Sequence, residues 1–265
     1  MKKVGVALLG LGTVGGGTYR ILKSMHDDIM ASDGVDIEIR RIIERDIAKA
    51  EALGVDPALL STDINDVISD PEIKIVAEFF GGIEPARSFL IASLKAGKSI
   101  VTANKEMFSK CMEDLKAAAI EGNAGLYFEA SCVGGVPVIR ALTESMQGNR
   151  IDSIMGIVNG TTNYILTKMA DEGLEYDDVL KEAQRLGYAE ANPTADVDGF
   201  DSMYKLSILS TLCFRKHVPL DKIYREGISK ISKTDIEYGK RFGYTLKLLA
   251  IGKLTHGKIE ARVHP

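Results

Sequence analysis

Val4-Gly5-Val6-Ala7-Leu8-Leu9-Gly10-Leu11-Gly12-Thr13-Val14-Gly15 decides the fold of this chain. Val4 to Leu9 is a short apolar run of the kind that forms a buried strand, and it stops abruptly at the first of three glycines spaced G-x-G-x-x-G. A helical stretch then runs toward Lys23. In a strand, glycine turn and helix of this kind, the first glycine makes the turn, the second admits a pyrophosphate and the third packs helix on strand. The helix N-terminus offers its unbonded N–H groups to the phosphates. Gly10, Gly12, Thr13, Val14 and Gly15 are therefore candidate dinucleotide-binding residues. Lys2 and Lys3 before an apolar run look superficially like a signal peptide, but glycines interrupt the run and no small-residue cleavage site follows.

Downstream, the alternation continues. Ile37 to Ile43 reads as a second strand, followed by Glu44-Arg45-Asp46. An acid at that point accepts hydrogen bonds from the adenosine ribose hydroxyls, whereas an arginine favours a 2′-phosphate. Glu44 and Arg45 present both signals, which leaves the choice between NAD and NADP open. Ile73 to Phe80 reads as a strand ending at Gly81-Gly82, with Pro85 early in a helix that runs to Ala96. A strand at Ser99 to Thr102 leads into Ala103-Asn104-Lys105-Glu106. Strand-ending loops of a parallel sheet gather at its carboxyl edge, which places Gly81, Gly82 and Lys105 beside the glycine turn.

The whole chain fits this reading. Its 265 residues allow one large or two ordinary domains, and 45% hydrophobic with 26% charged residues is the composition of a globular protein. A net charge of −4 argues against a nucleic-acid binder built on phosphate contacts. No run approaches the ~20 apolar residues of a membrane span. Three cysteines, Cys111, Cys132 and Cys213, stand in no metal-ligand spacing and fit free thiols in a cytoplasmic protein.

After Leu126 to Glu129 the sequence SCVGGVPVIRAL breaks the rhythm, with Gly134-Gly135 and Pro137 opening a helix. The reading is a doubly wound α/β cofactor domain over 1–130, Rossmann-like, followed by an α+β domain over 131–265 that serves substrate binding, catalysis and dimerisation. In the second domain Arg150 to Val158 reads as a strand, and NGTTN starts a helix with asparagine and threonine caps. Asp177 to Leu186 is a helix closed by Gly187. Tyr244 to Leu254 and Lys258 to Val263 suggest an antiparallel pair about His256-Gly257.

The richest stretch is GYAEANPTADVDGFDSMYKLSILSTLCF, in which Glu190, Asp196, Asp198 and Asp201 precede or open a helix that is apolar on nearly every face. Such a helix is usually buried. Asp201 and Lys205, four apart, share a face and can pair, either as a first-turn surface pair or as a buried pair whose lysine handles a proton. The acids lack the spacing of a calcium loop.

GLGTVG, GGIEPA, TANKE, FEAS, NGTTNYIL and GYAEANPTADVDGFDSMYKL, in this order, closely resemble homoserine dehydrogenase, as does the final EARVHP. The resemblance implies NAD- or NADP-dependent interconversion of L-homoserine and L-aspartate 4-semialdehyde, on the route to threonine, methionine and isoleucine. It implies that Lys205 handles the hydroxyl proton and that Lys105 lies between cofactor and substrate. It further implies that Glu190 and Asp201 bind the substrate ammonium, with Asp196, Tyr188, Gly160 and Thr161 lining the site. A monovalent cation such as sodium would use Glu129 and backbone carbonyls near Cys132, Gly134 and Val136, and the expected assembly is a homodimer. Two alternatives stand beside it: a catalytically impaired dinucleotide-binding or regulatory protein of the same fold, and a dehydrogenase for a related amino-acid semialdehyde. Family members usually continue beyond the RVHP strand with a return segment, and many add a regulatory domain. Both are expected to be missing here, and with the second any inhibition by threonine.

Overall fold

The structure is a computed structural model that describes residues 2–265, so Met1, the first residue of the expected first domain, lies outside the described residues. The chain divides into two compact units, Met1–Ser131 and Cys132–Pro265.

The first unit runs β1 (Lys2–Leu9), α1 (Thr13–Ser24), α2 (His26–Asp33), β2 (Val35–Ile43), α3 (Ile47–Ala52), β3 (Leu60–Ser61), α4 (Asn65–Ile68), β4 (Ile73–Glu78), α5 (Ala86–Lys95), β5 (Ser99–Thr102), α6 (Lys105–Glu121) and β6 (Leu126–Tyr127). Its six strands pair in the order β3-β2-β1-β4-β5-β6, and every pairing is parallel. Sequential strands therefore leave β1 in opposite directions, to β2 on one side and to β4 on the other. The crevice between β1 and β4 is the switch point at which doubly wound sheets bind ligands. The Val4–Leu9 run is buried because helices cover both faces of such a sheet, and Ala7, Leu8 and Leu9 are fully enclosed. Glu129 belongs to a 3-10 turn, Glu129–Ser131, and not to a strand, because β6 pairs with β5 only through Leu126 and Tyr127.

The second unit runs α7 (Val138–Arg140), β7 (Ser153–Gly156), α8 (Gly160–Glu172), α9 (Tyr176–Arg185), α10 (Thr194–Val197), α11 (Phe200–Phe214), β8 (Tyr224–Arg225), α12 (Lys233–Arg241), β9 (Leu249–Thr255) and β10 (Lys258–His264). Its sheet has the order β7-β9-β10-β8, with β7, β9 and β10 antiparallel and β8 parallel to β10. α11 packs on this sheet. Gly252 on β9 lets it approach, since a side chain there would strike Ser210 and Phe214 of α11.

Two expected strands are shorter than their apolar patterns. Tyr244–Leu248 is loop and Arg150–Val158 contracts to Ser153–Gly156, because pairing begins at Leu249 with His264 and at Gly156 with Ala250. The helix expected after Pro137 stays α-helical only to Arg140, then loosens into a π turn at Ala141–Ser145.

Candidate functional site

In the first unit the glycine turn is built as its spacing requires. Gly10 has φ +95°, which β-carbon-bearing residues rarely adopt, and its N–H donates to Ile43 O at 2.9 Å. A β-carbon on Gly15 would lie 2.0 Å from the Gly10 carbonyl oxygen, so α1 can press on the turn only with glycine there. Gly12 faces open space and begins α1 with no side-chain cap and no acid in the first turn. Its uncapped N–H groups, with Thr13 and Val14 exposed beside them, form an anion-ready end.

Glu44, the residue after β2, closes this end. Its Oε2 accepts from Leu11 N–H at 2.7 Å, and its Oε1 from Arg45 and Asp46 N–H at 2.8 and 3.0 Å. Burial alone would push the carboxyl up, but those N–H groups and Lys49 outweigh it and hold Glu44 below the usual carboxylate range. The acid expected to meet ribose thus also clamps the glycine turn. Beside it, Ile43, Glu44, Arg45, Thr62, Phe80, Gly81, Pro85 and Phe89 line a cavity of about 210 Å³, part apolar and part polar.

A buried network that the motifs did not announce ties the next two strand ends. Glu78, at 0% exposure, accepts from the Thr102 hydroxyl at 2.5 Å and from Phe80 N–H at 2.7 Å. Thr102 Oγ1 accepts from Asn104 N–H, and Asn104 Nδ2 donates to the carbonyls of Phe80 and Gly82. Asn104 also caps α6, whose first residue is Lys105. Desolvation raises the Glu78 carboxyl, against the hydrogen bonds of Thr102, Phe80 and Asn104. The legible signal was an acid closing an apolar strand, with threonine and asparagine closing the next.

In the second unit the Asp201–Lys205 alternative resolves. Lys205 Nζ lies 2.7 Å from Asp201 Oδ2 with side chains 14% and 5% exposed, so this is a buried pair. The Lys205 ammonium also donates to Val158 O at 2.7 Å. Asn159 joins them, donating from Nδ2 to Asp196 Oδ1 at 2.7 Å and to Asp201 Oδ2 at 2.9 Å. The sequence marks Asn159 as a helix cap; its bonds to two acids come from loops that only folding brings together. The Thr161 hydroxyl donates to Tyr188 O at 2.7 Å, and the exposed Tyr188 ring lies 4.7 Å from that of Tyr164. Gly160 opens α8 beside them and faces open space. Glu190 is exposed and engages Gln184 through its carbonyl. The described bonds do not draw its carboxylate into the Asp201 network.

For the expected cation, Glu129 is half-buried, Cys132 buried, and Gly134 and Val136 exposed, with the Val136 carbonyl accepting from Val138 N–H. Among the described residues there is no group of three or more His, Cys, Asp or Glu that could hold a metal. Among the described residues, no helix is long and apolar enough to cross a membrane.

Comparison with known proteins identifies the family. A family model described as "Homoserine dehydrogenase, NAD binding domain" matches residues 10–129, and one described as "Homoserine dehydrogenase" matches 137–265. Homoserine dehydrogenase of Corynebacterium glutamicum is 48% identical, with 99% of this chain and 60% of that protein covered. That of Bacillus subtilis is 43% identical, with 100% and 61% covered. The solved homoserine dehydrogenase of Thiobacillus denitrificans superposes with a TM-score of 0.94 at 46% identity, covering 100% of this chain and 61% of that one. A hyperthermophilic archaeal homoserine dehydrogenase in complex with NADPH gives 0.81 at 28%, covering 99% and 82%. The chain thus spans about 61% of the length of the curated relatives it matches.

Proposed function

This chain belongs to the homoserine dehydrogenase family, and we therefore propose that it interconverts L-homoserine and L-aspartate 4-semialdehyde, in the synthesis of threonine, methionine and isoleucine. The observation that carries the reading is the buried Asp201–Lys205 pair, one turn of α11 apart. A lysine held at 2.7 Å by a carboxylate and a carbonyl has its nitrogen aimed, and in its neutral form can take the hydroxyl proton of an alcohol as the carbon loses hydride. In the reverse direction the ammonium returns that proton to the carbonyl oxygen. When bound, NAD or NADP supplies the acceptor or donor of the hydride. This chain's part is to hold the pyrophosphate at Gly10, Gly12, Thr13, Val14 and Gly15. The adenosine then lies by Glu44 and Arg45, with the remaining face at Gly81, Gly82 and Lys105. Lys105 acts in catalysis between cofactor and substrate. Asp201, Glu190 and Asp196 take the substrate ammonium, and Tyr188, Gly160 and Thr161 line its site. Sodium at Glu129 and the carbonyls near Cys132, Gly134 and Val136 completes the proposal.

The protein acts in the cytoplasm, where its three cysteines remain thiols. It acts as a homodimer through the second-unit sheet, where Met155 and Tyr224 stand 68% and 59% exposed. The test is absorbance at the reduced-nicotinamide band with homoserine and each of NAD and NADP. Growth of the band with either is expected. No growth, with dinucleotide binding intact, favours the impaired binding protein, and growth only with another amino alcohol favours the related dehydrogenase.

A further inference from the structure

Asn159 uses the two ends of one side chain differently. Its Oδ1 caps α8, accepting from the N–H and hydroxyl of Thr162 at 2.8 and 2.9 Å. Its Nδ2 turns away from the helix and donates to Asp196 and Asp201 at 2.7 and 2.9 Å. A cap alone does not need an amide, since serine, threonine or aspartate serves as well. Bonding two carboxylates from one nitrogen does need a two-hydrogen donor, and it holds together like charges that would otherwise part. The Asp201 oxygen that Asn159 holds is the same Oδ2 that accepts from Lys205, and the other acceptor of Lys205 is the carbonyl of the neighbouring Val158. Residues 158–159 therefore fasten both members of the buried pair, one from the backbone and one from a side chain 6% exposed.

We propose that Asn159 is a positioning residue that acts through Asp201 to aim Lys205 and that keeps Asp196 and Asp201 together as one acidic site. The inference rests on the reading of Lys205 as the group that handles the proton. The charged groups facing Asn159 are Asp196 on α10 and Asp201 and Lys205 on α11. The charged groups of α9 and α12 that meet α8, Glu182 and Lys240, touch it further along, at Lys168 and Ala170, and Lys247 of the loop before β9 donates to Asn163 and Thr167.

Asn159→Ser and Asn159→Asp both keep the oxygen that caps α8 and both remove the amide. For Asn159→Ser a thermal midpoint near wild type is expected and for Asn159→Asp, which sets a third carboxylate against two others, a lower one; in both kcat/KM falls about tenfold or more with dinucleotide affinity unchanged. The acid limb of the pH profile moves to higher pH, further for Asn159→Asp, which adds a third carboxylate. A second readout needs no turnover. With 15N-labelled lysine, the Lys205 ammonium signal, identified by its loss in Lys205→Ala, shifts or broadens in both variants. An unchanged signal and an unchanged pH profile overturn the proposal, as does loss of the fold in Asn159→Ser, which keeps the cap and would show that the amide holds the fold itself and not the aim of Lys205. A changed signal in a protein that does not oxidise homoserine upholds the positioning role and sinks the assigned reaction instead.

Discussion

Lys205 and Glu78 show two uses of a buried charge. Lys205→Ala removes the proposed proton acceptor from a nearly apolar helix. A kcat loss of about 10²–10⁴-fold is expected, with dinucleotide affinity within about twofold of wild type. Near-normal steady-state turnover would refute its role. Glu78 is buried without a cation among its described hydrogen bonds, and desolvation raises it above its ordinary value of 4.5. A carboxyl raised by folding contributes its full stability below that value and loses it as pH rises through the folded value. Glutamine can accept from Phe80 N–H and donate to Thr102 without ionising. The melting temperature of Glu78→Gln relative to wild type is therefore expected to rise between about pH 4 and pH 8, and a constant difference would contradict this. Glu44 has the opposite sign, because its backbone donors hold it low. The stability it contributes is present above 4.5 and lost as pH falls through its folded value. Glu44→Gln is expected to destabilise most near neutrality, with the gap in melting temperature closing toward acid. Both glutamates stand in the sequence, but folding sets their opposite shifts, burial raising Glu78 and the N–H groups of Asp46, Leu11 and Arg45 lowering Glu44.

At the scale of elements, the turn between β1 and α1 separates two glycines with different tasks. Gly15→Ala would drive a β-carbon to 2.0 Å from the Gly10 carbonyl, so melting temperature and dinucleotide affinity both fall. Gly12→Ala meets nothing within 4 Å, so the fold holds and only the approach of a pyrophosphate suffers. Thermal melts with fluorescence titration of NADPH check both, and equal behaviour of the two variants would refute the distinction. This turn was legible because its conformations are dictated locally. The ends of β7 and β9 were not. Leu246 and Leu248 carry a strand-like alternation, yet they pack into the core from a loop because no strand partner reaches them. α12 was missed although its Ser232–Asp235 capping box stands in the sequence, since its few apolar residues give a weak helical stripe.

Across the whole molecule, each unit carries its own core, one around Leu8, Tyr19 and Ile42, the other around Ile165, Leu166 and Leu206. Leu8→Ala and Leu166→Ala each empty a fully buried position, at about 2–5 kcal/mol apiece. The two clusters share no member, so in denaturant titrations the double variant should cost the sum within about 0.5 kcal/mol. A large departure would mean that the cores are coupled. The alternation of apolar runs with glycine turns was enough to specify a parallel α/β unit, because period and turn chemistry act within a few residues. The same holds for the pairing of Asp201 with Lys205, one helical turn apart. Tertiary structure alone decided that this pair is buried, that Asn159 reaches Asp196 and Asp201 across 37 and 42 residues, and that Glu78 fastens Thr102. Those bonds depend on which loops end up adjacent once the sheets have formed, and no local pattern records that.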